Sequence, residues 1–185
     1  MDNGSDVTAK KISKLRGIVR YSIAVTASLL LIFVCIEVYN FYSLSAGKLF
    51  AEKYTGYYWM ATEDTTESEI EKAYKDEKYA EVINLNRNSV LSIKDVFLTG
   101  MSYLETNDLS KAISSYQVVI ADVRDDKNSM LKDAAEYYLA LTYLKNNDYD
   151  QAIELMSAIH DNPSHSYEKK FSLKYIKRVK RLKWR

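Results

Sequence analysis

The sequence predicts an all-α chain. An N-terminal transmembrane helix comes first, then a short α-α superhelix of repeated helical hairpins, then a basic amphipathic C-terminal helix that caps it. Three observations carry this. Five Gly and one Pro stand against 16 Tyr in 185 residues, and helices need few Gly and Pro where turn-rich sandwiches need many. An apolar run fills residues 21–42. A stretch of 20 residues recurs at an offset of 40, a period at which helical hairpins stack into solenoids.

Charge divides the chain into zones that the net value of +1 conceals. Residues 1–20 hold five basic residues (Lys10, Lys11, Lys14, Arg16, Arg20) and two acids. Residues 47–167 carry a net −9 and residues 168–185 a net +8. The first zone reads as a basic cytoplasmic N-terminus. It precedes "YSIAVTASLLLIFVCIEVYNFY" (Tyr21–Tyr42), in which only Thr26 and Ser28 interrupt the apolar stretch from Ile23 to Ile36. About 20 helical residues cross a bilayer core. Tyr39, Phe41 and Tyr42 form an aromatic edge on the side away from the basic cluster. Glu37 lies near that edge, where its carboxylate reaches the interface. Cys35 is the only cysteine, so no internal disulfide forms, and "IFVC" lacks the small residues that precede a lipidated cysteine. "SLS" before Ala46 offers a processing site. The length of the apolar stretch and the Glu37–Tyr42 region favour an uncleaved signal anchor. Basic flanks stay in the cytoplasm, so residues 44–185 are expected outside it, in a bacterium the periplasm.

One helix is expected from about residue 10 through the span and on to Tyr57, with residues 43–65 as a juxtamembrane linker. "TEDTTESE" makes a polar joint, and Thr66 with Glu69 a capping-box start. Residues 66–164 form the repeat domain. "FLTGMSYLETNDLSKAISSY" (Phe97–Tyr116) aligns without a gap on "YYLALTYLKNNDYDQAIELM" (Tyr137–Met156). A fainter copy, "AYKDEKYAEVI", starts at Ala73, 30 residues before the middle one. Gly100 and Ala140 are small where helices approach. Tyr103 and Tyr143 follow almost a turn later and fill the space between paired helices. "TND" and "NND" break the helix, and Asp108 and Asp148 are N-cap residues for the next. Ala112 and Ala152 again permit close contact, with Tyr116 and Met156 one turn on. Helices are expected over about 67–76, 79–86, 93–106, 109–122, 129–146, 149–160 and 165–183.

The pattern Gly100–Tyr103–Ala112–Tyr116 and Ala140–Tyr143–Ala152–Met156 resembles the tetratricopeptide repeat (TPR) family over residues 66–162. Val96 and Glu136 stand where the family has its first Trp. The 40-residue step exceeds the family's usual 34, which puts an extension around "VRDDKNSM". The arrangement also looks like the small single-span TPR proteins of the Bacteroidota envelope, whose flanks "LFAEKYTGYY" and "DNPSHSYEKK" resemble. The family resemblance places the first helix of each hairpin on a concave surface. By repeat position Phe97, Met101, Tyr137 and Leu141 then face the groove, with Glu71 and Tyr74 from the faint copy. An apolar, aromatic groove suits a peptide or helix of another protein. The chain's own final helix or a second protomer is the alternative occupant.

No nucleophile constellation, glycine-rich phosphate loop or metal spacing is present, so neither an enzyme nor a cofactor is expected. His160 reads as a helix-end residue and His165 as a surface loop residue. In the tail, residues 165–185, Phe171, Tyr175, Val179 and Leu182 form a stripe that closes the solenoid. From Lys177 the charge is denser than a cap needs. Lys177, Arg178, Arg181, Lys183, Trp184 and Arg185 are candidate contacts to anionic lipid. Nucleic acid is attracted to such a tail, but the topology keeps it away. The expected work is protein–protein interaction, as an inner-membrane envelope scaffold or accessory factor. A regulatory or quality-control subunit of a translocon or envelope-stress system, and a membrane-surface organiser acting through the basic tail, are the alternatives.

Overall fold

The computed structural model describes residues 25–39, 41–57, 67–86, 92–122 and 129–184. They fall into two units, residues 1–44 and 45–185. In the first, helix α1 (Val25–Ser43) is long and apolar enough to cross a bilayer. At 1.5 Å per residue its 19 residues extend roughly 28 Å. Its side chains at 25–39 are all exposed within the chain. The N-terminal basic cluster lies outside the described residues.

Every regular element of the second unit is helical among the described residues. Helix α2 spans Ala46–Lys53. Three hairpins follow: α3 (Glu69–Lys75) with α4 (Tyr79–Leu85), α5 (Ile93–Glu105) with α6 (Leu109–Ala121), and α7 (Ser129–Lys145) with α8 (Tyr149–Asp161). A 3-10 turn at Glu168–Lys170 leads into α9 (Leu173–Leu182). Each hairpin helix packs on the next, and α3, α5 and α7 also pack side by side as an inner layer.

One turn is built three times. Glu77, Asn107 and Asn147 take left-handed backbone angles, with φ of 57°, 63° and 65°. After each, the next amide reaches back five residues: Lys78 N–H to the Ala73 carbonyl, Asp108 to Tyr103, Asp148 to Tyr143, at 2.8–2.9 Å. This closes the helix end and satisfies carbonyls that otherwise lack partners. Asn tolerates the left-handed region because its side chain is short and polar. Glu77 does so at greater cost, yet its turn has the same bonds. The faint first copy is thus a full structural repeat, at the 30- and 40-residue offsets of the sequence.

Helix starts follow the capping rules unevenly. Ser92 and Asp95 form a reciprocal capping box at α5. Asp95 also accepts a 2.7 Å bond from Ser68 Oγ, and Ser68 caps α3. One carboxylate therefore ties two hairpin starts together. The start expected at Thr66 lies outside the described residues; Ser68 is the cap that is seen. Asp108 caps α6, whereas Asp148 makes no capping bond to α8. Its carboxylate instead accepts from Asn146 Nδ2 at 2.6 Å. The longer step from the second turn to the third is accounted for by the helices between them, 13 residues in α6 against 7 in α4 and 17 in α7 against 13 in α5. Residues 123–128 of the expected extension lie outside the described residues.

Three expectations are corrected. The helix through the span does not run on to Tyr57: residues 44–45 break it, and Ser45 accepts from Lys48 N–H as the N-cap of α2. The segment read as a linker over 43–65 is part of the folded unit from Ser45 to Tyr57. The single helix expected over 165–183 is a 3-10 turn and a shorter helix, because Ser172 caps α9 and Phe171 turns inward, fully buried.

Close packing at Gly100 yields a test. A Cβ there would lie 2.9 Å from Tyr116 Cε1 and 3.0 Å from Ser115 Cβ. Alanine gains about 0.5–1 kcal/mol of helix propensity, but overpacking costs about 1–3 kcal/mol. Gly100→Ala should lower stability by about 1 kcal/mol net, seen as a melting shift of a few degrees. Gly47 in α2 has nothing within 4 Å of such a Cβ, so Gly47→Ala should produce no loss in the same melt.

Candidate interaction groove

The inner layer is lined by the residue types that the repeat pattern puts there, and all six groove candidates are buried. Phe97, Met101 and Leu141 have no exposed surface, and Tyr137, Glu71 and Tyr74 retain 1%, 6% and 8%. Two of them are covered by their own repeats. Glu71 pairs with the Lys94 ammonium between α3 and α5. Met101 Sδ accepts from the Tyr116 hydroxyl at 3.1 Å. Tyr74 and Phe97 meet the N-terminal segment of the unit, and Tyr137 meets segments from both of its ends.

The first covering segment is α2 with the extended residues 54–57. Tyr137 donates to the Lys53 carbonyl at 2.6 Å, Tyr138 to the Thr55 carbonyl at 2.8 Å, and Tyr74 to the Tyr57 carbonyl at 3.3 Å. The acceptors are the last residue of α2 and then Thr55 and Tyr57 beyond it. Tyr57 sets its ring edge-on against Phe97, centroids 4.7 Å apart. Tyr54 donates to the Glu105 carboxylate and stands edge-on to Tyr138. The segment thus passes α7, then α5, then α3, crossing all three first helices.

The second is the C-terminal segment. Tyr167 and Phe171 stack on Tyr137 with centroids at 4.5 and 5.2 Å. Tyr175 of α9 donates to the Leu49 carbonyl of α2 at 2.7 Å. Both ends of the unit therefore meet on α7. The sequence reading left the final helix as one occupant of the groove; the larger occupant is the segment it read as a linker.

The remaining candidates fall as follows. Gly100, Ala112, Tyr116, Ala140, Ala152 and Met156 are buried between helices. Tyr103 is 8% exposed, with the Lys111 ammonium over its ring at 5.3 Å. Tyr143 is half-buried, and its hydroxyl accepts from Gln117 Nε2 at 3.1 Å. The tail stripe of Phe171, Tyr175, Val179 and Leu182 packs inward. Of the lipid candidates, Arg178 pairs with Glu52 and Lys183 with Asp150, each at 2.5 Å. Lys177 and Arg181 are exposed, and Trp184 keeps 83% of its surface. Arg185 lies outside the described residues.

His165 is not a surface residue. Its side chain is 2% exposed, with Nε2 3.1 Å from Glu136 Oε2 and 3.7 Å from Asp133 Oδ1. Its Nδ1 accepts from the Tyr167 N–H at 3.0 Å, so in the neutral ring the proton sits on Nε2 and points at Glu136. Asp133 Oδ2 accepts from both the amide and the hydroxyl of Ser166, each at 2.7 Å. These three side chains lie close enough for a cation, but the facing nitrogen is a donor, and the cluster acts as a clasp that fixes the 165–167 loop on α7.

Burial sets the ionisation of the groove. It pushes the phenols of Tyr57 and Tyr137 up to about 12, with the neighbouring Tyr167 adding to the rise. It raises Tyr54, Tyr74, Tyr116, Tyr138 and Tyr175 further. The hydroxyls that hold residues 53–57 thus stay protonated donors throughout the neutral range.

Residues 96–125 and 134–164 each match the tetratricopeptide repeat family model. The two matches cover α5–α6 and α7–α8. No curated protein and no solved structure matches the chain.

A raised phenol pKa stabilises the fold only where the unfolded phenol stays neutral. That contribution is complete below pH about 10 and is lost as pH rises through about 12. In an alkaline titration the phenols of Tyr57 and Tyr137 should ionise only as pH approaches about 12, together with loss of the helical dichroism. Ionisation of all tyrosines near pH 10 with helicity intact would refute the buried ladder.

Proposed function

We propose that this chain is a membrane-anchored helical-repeat protein whose inner face binds a segment of another protein, as a scaffold or accessory factor. Two repeats that match the tetratricopeptide model support an interaction role. The observation that carries the reading is the inner face itself, which already holds an extended segment by its backbone. Helix α1 supports membrane attachment by its length and composition. With the basic residues before it on the cytoplasmic side, residues 45–185 lie in the periplasm of a bacterial envelope. Tethering confines such a module to two dimensions and raises its local concentration.

A second reading has one observation in its favour. Lys174, Lys177, Lys180 and Arg181 are exposed on α9, opposite its buried stripe. Such a face suits an anionic lipid surface. In proteoliposomes, hydrogen exchange over residues 173–184 should then slow when anionic lipid is present and recover at high salt. Exchange that ignores lipid charge sinks this reading.

The main reading is tested in cells. The full chain should resist alkaline carbonate extraction from membranes, and a variant lacking residues 25–43 should be released. A photo-reactive residue in place of Phe97, on the inner face itself, should capture a protein other than the chain itself. Release of the full chain by carbonate overturns the anchor, and adducts confined to the chain's own residues overturn the interaction role.

A further inference from the structure

Residues 53–57 are an internal ligand, and the way they are held describes what replaces them. Three hydroxyls, from Tyr137, Tyr138 and Tyr74, donate to the carbonyls of Lys53, Thr55 and Tyr57. A carbonyl is present in every residue type, so these bonds read the backbone, at the end of a helix and along the extended residues that leave it, and not a sequence. Selectivity comes from the ring of Tyr57 against Phe97. Beyond α2 the segment keeps one side in solvent. Thr55 and Gly56 are exposed, Tyr54 and Tyr57 only half-buried. A side chain at position 56 would meet nothing within 4 Å, so this exposed position of the segment is not read by the inner face.

We propose that the inner face is a strap-gated peptide site. The chain's own residues 53–57 close it, and an extended, aromatic-bearing segment of a partner protein opens it by taking over the same three tyrosine hydroxyls. This rests on the interaction reading above and adds to it the partner's form and the gate. Covalent attachment gives the strap a high effective concentration. A partner must therefore offer a better aromatic fit or several contacts, and a free copy of the strap competes poorly with the attached one.

The test uses the full chain in detergent micelles and a fluorescent nine-residue peptide copying residues 49–57, LFAEKYTGY. Fluorescence anisotropy should show weak binding to the unaltered chain. Binding to a Tyr54→Ala, Tyr57→Ala variant, whose strap has lost its rings, should be at least tenfold tighter. Adding Tyr74→Phe, Tyr137→Phe and Tyr138→Phe to that variant should abolish the gain while keeping the rings. In the unaltered chain, saturating peptide should speed hydrogen exchange over residues 50–57, a readout that needs no substitution. Equal peptide binding by the unaltered and loosened chains, or exchange that peptide leaves unchanged, overturns the gate. Binding indifferent to the three hydroxyls overturns the ladder. A dimer of the unaltered chain that the peptide dissolves assigns the site to a second copy and overturns the partner assignment. Gating by the peptide without any cellular partner captured would leave the gate standing and sink the interaction reading alone.

Discussion

A buried tyrosine hydroxyl must find an acceptor, and helices have few to spare. Interior carbonyls of a helix are already bonded to the amide four residues on. Tyr74, Tyr137 and Tyr138 sit on helices whose inner faces are apolar, so their acceptors come from outside the repeats. The Lys53 carbonyl lies in the last turn of α2, where a helix leaves its acceptors without an intrahelical donor. Donor and acceptor resolve each other. Lys53 ends α2, and its carbonyl takes the Tyr137 hydroxyl. Leaving such groups unpaired in a buried setting costs about 1–3 kcal/mol each. This mutual requirement holds the strap and covers the groove residues, and the resulting burial keeps the phenols neutral.

The repeats supply the platform for that exchange by repeating a turn. Its left-handed residue reverses the chain within two positions and sets each second helix against its first. Small residues then control the distance. Gly100 lets Tyr116 approach to where a methyl group would collide, and the Tyr116 hydroxyl ends on Met101. The inner layer is consequently flat enough for one extended segment to touch three helices. At α7 that layer meets the C-terminal segment, where Tyr167 and Phe171 close over Tyr137.

Much of this was legible in the sequence, for physical reasons. The turn, the small positions and the tyrosines recur at fixed spacing, and spacing is what a sequence displays. The strap was not legible because backbone carbonyls are common to all residues and leave no pattern. Its partners also lie 83 and 84 residues away. The density of aromatics in "LFAEKYTGYYW" was the one available sign, since a solvated linker has no use for rings. His165 was misplaced because a proline-containing loop suggests exposure, whereas its carboxylate partners come from α7, 29 and more residues back. Ser45 was missed as a helix start because the apolar run before it suggests continuity.

The order of synthesis gives the strap a history of its own. It is made early, but two of the three hydroxyls that hold it, those of Tyr137 and Tyr138, are made 84 and 83 residues after their acceptors. At the roughly 5–20 residues per second of translation, that is a delay of roughly 4–17 seconds. For that interval the strap has no α7 to hold it. A segment whose contacts are mostly distant also forms them late, because loop closure precedes any gain. The newborn chain therefore presents an aromatic, extended segment just past its apolar helix, in the form that chaperones and early partners recognise, before it becomes the closure of its own binding face.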